Sequence, residues 1–126
     1  MDWRERELFN VVEHEDQKKI VRCLREEFNC IVFDLDIMST LSFINNEQDK
    51  MRFISEHKAR GYTNGQPDIV IITPKGKVIF VELKTKNGQQ SENQKKMEDK
   101  LSQYGQVYRL WRSVDDCLSF LNMLDK

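Results

Sequence analysis

Apolar and polar residues alternate with two different periods along this chain, and each change of period marks an element. From Glu13 to Glu27 the apolar positions Ile20, Val21 and Leu24 recur at helical spacing, which predicts a first helix carrying Glu15 in its opening turn. The period then shortens to two. Over Phe28 to Ile37, residues Ile31, Phe33, Leu35 and Ile37 alternate with Asp34 and Asp36, the pattern of a strand whose aspartates mark its exposed side. Helical spacing returns from Glu47 to Arg60, with Met51, Phe53 and Ile54 expected inward and Gly61 closing the helix. A glycine-bearing loop, Gly61 to Gln66, leads to two apolar runs, Pro67 to Thr73 and Val78 to Lys84. Pro74-Lys75-Gly76 joins them as a hairpin loop with glycine where a left-handed residue is needed. Ser91 is an N-cap for a helix to Tyr104 stopped by Gly105, and Val107 to Arg112 reads as a last strand, with Tyr108 and Trp111 expected in the core rather than as a base-stacking platform. Ser113 and Asp116 resemble a capping box ahead of an amphipathic helix with Val114, Leu118, Leu121 and Leu124. The order helix, strand, helix, hairpin, helix, strand, helix predicts an α/β domain.

The hairpin carries the chemistry. Glu82 and Lys84 share one face of their strand, whereas Val81 and Leu83 point to the other. If Thr73 pairs with Lys77, Asp68 falls opposite Glu82, and directly opposed residues lie roughly 5 Å apart on the same side. Two carboxylates and one ammonium then converge. Like charges held that close persist only when a cation, a shared proton or a neighbouring Lys compensates. Oxygen donors suit Mg²⁺ or Mn²⁺, whereas Zn²⁺ would call for Cys and His clusters that the chain lacks. The plain alternative is an ordinary hairpin with a solvated Glu/Lys alternation, and Pro67-Asp68 at the compatible distance weighs against it.

Composition sets the remaining bounds. A chain of 126 residues suits one core, so a single domain over 1–126 is expected. The charged start and the lack of a long apolar run predict a soluble, cytoplasmic protein. Cys23, Cys30 and Cys117 are odd in number and widely spaced, which argues for buried small apolar residues rather than a disulfide framework. Net charge is only −1, but its distribution is polarised. Acids crowd the first residues, while Lys58 and Arg60 precede the hairpin and Lys86 and Lys95 follow it. Such polarisation steers a polyanion toward the site.

Four blocks bring these features together: His14-Glu15-Asp16-Gln17, the run from Lys58 to Asp68, Val81-Glu82-Leu83-Lys84, and Ser91-Glu92-Asn93-Gln94. In these blocks, from about Glu13 to Phe120, the chain resembles the VRR-NUC (virus-type replication-repair nuclease) family of the PD-(D/E)XK nuclease superfamily. Members commonly carry an Asn-Gly pair before the middle helix, where this chain has Asn45-Asn46. The resemblance implies a restriction-endonuclease-like core, a mixed central sheet with an antiparallel hairpin at about 68–84 flanked by helices. It matches Asp68, Glu82 and Lys84 to the catalytic core, Glu15 to the helical acid and Gln94 to the polar residue of the following helix.

The implied activity is Mg²⁺- or Mn²⁺-dependent endonucleolytic cleavage of DNA leaving a 5′-phosphate, in viral or mobile-element replication or repair. Asp68, Glu82, the backbone carbonyl of Leu83 and a water held by Glu15 would ligate the ion; Lys84 would orient the attacking water. Lys58, Arg60, Tyr62, Asn64, Lys86 and Lys95 are the expected DNA contacts. Branched DNA is the expected substrate, four-way junctions ahead of flaps. Two nicks are needed to resolve a junction and each chain has one site, so a homodimer is expected. Its apolar contact would come from Trp111, Phe120, Leu121 and Met123 or from Phe53 of the middle helix. Two alternatives are an inactive DNA-binding or assembly module with the same fold, which would need a broken core position, and a restriction-type endonuclease. The latter would need recognition elements for which only residues 38–66 leave room.

Overall fold

The computed structural model describes the backbone of residues 3–124 and the side chains of residues 15–124; His14 therefore lies outside the described side chains. In chain order the elements are α1 (Trp3–Glu26), β1 (Ile31–Asp34), a 3-10 helix (Met38–Phe43), α2 (Glu47–Ala59), β2 (Ile69–Ile72), β3 (Val78–Leu83), α3 (Glu92–Gln103), β4 (Val107–Trp111) and α4 (Val114–Leu124). The four strands form one sheet in the order β1-β2-β3-β4. The first two pairings are antiparallel and the last is parallel, because α3 carries the chain back across the sheet between β3 and β4. The fold is thus α/β with a mixed sheet flanked by helices. None of the described helices is long and apolar enough to cross a membrane.

One face of the sheet is the core. Ile69, Ile71, Ile79 and Val81 are fully buried there with Val32, Leu83 and Trp111, against Ile20 and Leu24 of α1 and Cys117 and Leu121 of α4. Cys30 is buried in the same cluster, while Cys23 is half-buried. Burial of this kind stabilises by roughly 25 cal/mol per Å² of apolar surface removed from water.

Three expectations are corrected. Helix α1 runs from Trp3, so Glu15 sits in mid-helix and not in the first turn. Strand β1 has the opposite phase from the one its alternation suggests. Val32 pairs with Ile71 on the core face, whereas Ile31 and Phe33 are each 54% exposed on the other face. A shift of one residue turns every side chain of a strand over, and the buried neighbours of Val32 decide the phase. Met51 is 67% exposed, because α2 packs mainly on the 3-10 helix and buries none of its residues. Asn46 supplies the α2 N-cap, accepting from the backbone N–H groups of Gln48 and Asp49.

The hairpin turn and the loop before it place the polar face. Gly76 takes φ +85°, and Thr73 N–H donates to the Lys77 carbonyl at 2.9 Å, fixing the register. The loop after α2 is tied down at two points. Gln66 Nε2 donates to the Leu35 carbonyl at 2.7 Å, and Gly65, at φ +83°, lies flat against the backbone of Asn93 and Gln94. A Cβ at Gly65 would collide with the Asn93 carbonyl, whereas one at Gly76 would meet open space. Gly76→Ala should therefore cost only the left-handed conformation, about 1–2 kcal/mol, and Gly65→Ala clearly more. Denaturant unfolding of the two variants checks this; equal losses would mean that the loop does not rest on α3.

Candidate active site

The hairpin register brings two carboxyls together. Ile69 pairs with Val81, and Asp68 N–H also turns to the Val81 carbonyl at 3.0 Å, which leaves Asp68 just past the last paired residue with its carboxyl beside that of Glu82. Asp68 Oδ2 accepts the N–H of Leu83 at 2.7 Å. Glu82 is 1% exposed, the one charged residue in the buried interior among the described residues. Its Oε1 accepts from Gln94 Nε2 at 2.9 Å and lies 3.8 Å from Lys84 Nζ; its Oε2 accepts from the Tyr108 hydroxyl at 3.0 Å.

Gln94 reaches Glu82 because it also closes the start of α3. Ser91 Oγ accepts the Gln94 N–H at 3.2 Å, and Gln94 Oε1 accepts the Ser91 N–H at 2.8 Å, a reciprocal cap. With its oxygen held by Ser91, the side-chain amide has only its N–H groups to turn toward Glu82.

Burial and, next, the charge of Asp68 push Glu82 up to about 8, opposed by the Tyr108 hydroxyl and the Lys84 ammonium. Asp68 is also raised, by burial first, against the pull of the Leu83 N–H. The two carboxyls are close enough to share a proton, and a cation would relieve the same strain. The donors fit a hard ion, since all are oxygens and each carboxylate oxygen offers two lone-pair sites. Among the described residues no three His, Cys, Asp or Glu side chains gather closely enough to cage an ion unaided. Backbone carbonyls or water would complete the shell, as Mg²⁺ sites commonly allow.

Asp68 and Gln94 open onto a cleft of about 330 Å³ shared with Asp36, Tyr62, Asn64 and Gly65. Tyr62 and Asn64 line it from the loop after α2. Lys58, Arg60, Lys86 and Lys95 are exposed; Arg60 lies 3.8 Å from Glu56 and Lys95 3.5 Å from Glu92. Glu15 is exposed and pairs with Lys18 at 3.0 Å, which lowers its pKa. The α1 residues that border Lys84 and Leu83 are instead Asp16 and Gln17. Gln17 continues the buried stripe of Ile20 and Leu24, whereas Glu15 lies about 200° round the helix from it. Reading that stripe one turn further would have found Gln17. Tyr108 was expected only as core, and Asp36 only as a solvated acid; strand periodicity cannot show that they reach the site.

The raised carboxyls set a pH dependence. Glu82 in the folded protein holds a proton that the unfolded chain, near 4.5, has already released. Stability of the metal-free protein should therefore fall as pH rises from about 4.5 to about 8 and then level off, by on the order of a few kcal/mol in all. Glu82→Gln should flatten that slope in chelator-treated protein unfolded at several pH values. Identical slopes for the two proteins would show that Glu82 is not the group responsible.

A family model described as the VRR-NUC domain matches residues 13–115. Among solved structures, a chain titled "VRR_NUC domain" is similar with a TM-score of 0.62 at 19% identity, over 87% of this chain and 94% of that one, which shows a shared fold. No curated protein matches the chain. The family match spans the loop, the hairpin, Gln94 and Tyr108 together, and the chain belongs to the VRR-NUC domain family, with its nuclease-type fold.

Proposed function

We propose that the protein is a metal-dependent endonuclease that hydrolyses phosphodiester bonds in branched DNA, four-way junctions ahead of flaps, in viral or mobile-element replication or repair. The observation that carries this reading is the pairing of buried Glu82 with half-buried Asp68, the Lys84 ammonium lying 3.8 Å from Glu82. Asp68, Glu82 and the Leu83 carbonyl would hold Mg²⁺ or Mn²⁺. When bound, such an ion neutralises charge on the phosphate and lowers the pKa of a coordinated water. Lys84 orients the attacking water and stabilises the negative charge that builds on the phosphate oxygens. Gln94 keeps Glu82 turned toward the site, and Asp16 and Gln17 border Lys84 from α1. Glu15, paired with Lys18, would reach the ion only through a water.

Lys58, Arg60, Lys86 and Lys95 would take phosphates on either side of the cleft, with Tyr62 and Asn64 against the strand being cut. The second copy of a homodimer supplies the second nick that a junction requires. Support for it comes from Ile31, Phe33, Phe43 and Met51, each more than half exposed. Together they leave on the order of 400 Å² of apolar surface open, a sizeable part of the roughly 800 Å² per partner in a standard interface. Trp111 and Leu121 belong to the core, so they are not available for this contact.

The purified protein should nick an immobile four-way junction at paired positions in Mg²⁺ or Mn²⁺, and faster than linear duplex. Lys84→Ala should abolish cleavage in a protein that stays folded, and light scattering should give twice the 15.1 kDa chain mass. Activity in excess chelator, a fully active Lys84→Ala protein, or a monomer that cuts linear duplex as fast as the junction would contradict this reading.

A further inference from the structure

Tyr108 stands on β4 in register with Phe80 of β3, two residues before the partner of Glu82 and on the same face of the sheet. A long side chain spans that diagonal, and its hydroxyl meets Glu82 Oε2 at 3.0 Å in the buried interior. A phenol has one proton and can also accept, so a single contact does not fix which way its O–H points. Here a second contact fixes it. Gln90 Nε2 lies 3.2 Å from the Tyr108 oxygen and 3.0 Å from Glu98 Oε1. An ionised carboxylate only accepts, so the Gln90 atom between Glu98 and Tyr108 must be the amide nitrogen. That nitrogen donates to the phenol, occupies its accepting side and leaves its one proton for Glu82.

We propose that Glu98, Gln90 and Tyr108 form a directed hydrogen-bond chain whose task is to lock the orientation of the Glu82 carboxylate for cation binding, with Tyr108 as its positioning residue. The terminal torsion of a glutamate is broad and two-fold when free. In Glu82, Gln94 of α3 holds one oxygen and Tyr108 of β4 holds the other, so the plane of the carboxylate is set from two separate elements. Partners of this kind around a ligand typically change metal affinity by 10–100-fold when removed. The inference rests on the nuclease reading for the identity of the ion, and on geometry alone for the chain.

The test is Mn²⁺ affinity by calorimetry for the parent protein, Tyr108→Phe and Gln90→Ala, with thermal melting in chelator as the fold control. Tyr108→Phe should bind Mn²⁺ about 10–100-fold more weakly while still unfolding cooperatively, and Gln90→Ala should shift the same way by less. Cleavage by Tyr108→Phe should recover as Mn²⁺ is raised, the mark of a positioned ligand rather than of a group acting in the chemical step. If Tyr108→Phe does not fold, Gln90→Ala alone decides, by the same reduction in affinity. Unchanged Mn²⁺ affinity in the folded variants overturns the chain but leaves the nuclease reading standing. A parent protein that binds no Mn²⁺ overturns both.

Discussion

A carboxyl group almost wholly removed from water, facing a second carboxyl across a hairpin, is costly unless something compensates it, and the structure around Glu82 is arranged as that compensation. Gln94, Tyr108 and Lys84 each bring a donor or a positive charge to it, from α3, β4 and the end of β3. Asp68 is itself held by the Leu83 N–H, so neither acid can swing away from the other without breaking a bond. The arrangement spends stability to keep two negative groups in one place. The proposed cation site would need such an arrangement, and metal-free protein should bear it as a dependence on pH.

The other elements make sense as supports of that pair. Turn geometry at Gly76 sets the register that opposes Asp68 to Glu82. The loop from Gly61 to Gln66 reaches the cleft only because Gly65 can lie flat on the start of α3, where the Gln94 cap also begins. The parallel pairing of β3 and β4 puts Tyr108 diagonally across from Glu82. Helix α2, by contrast, buries none of its residues and touches mainly the 3-10 helix. Met51 of α2, Phe43 of the 3-10 helix, and Ile31 and Phe33 of β1 are each more than half exposed.

What was legible in the sequence was local. The hairpin follows from three turn residues and a period of two, so the opposition of Asp68 and Glu82 could be read before any coordinates. Ser91, Gly105 and the helix between them were equally readable from capping chemistry. What failed depended on partners distant in the chain. The phase of β1 is decided by which of its faces meets Ile71, and alternation alone is symmetric between the two. The start of α1 was missed although Leu8, Phe9, Val11 and Val12 continue helical spacing ahead of Glu13. Tyr108 looked like core because periodicity reports burial and not what a hydroxyl touches once buried. Gln94 was found through the resemblance, although the Ser91-to-Gln94 spacing alone announces a capping box.

The central claim, that Asp68 and Glu82 are held together to bind a divalent cation, is tested most directly by the stability that the ion confers. Unfolding of the parent protein and of Asp68→Asn should be compared in chelator and in Mn²⁺. Metal-free Asp68→Asn should be at least as stable as the parent above about pH 8, where both carboxyls of the parent are ionised and repel. Mn²⁺ at 100 times its dissociation constant should stabilise the parent by about 2.7 kcal/mol, and the variant should lose most of that gain. Equal stabilisation of the two proteins by Mn²⁺ would contradict the account, since Asp68 would then not be a ligand.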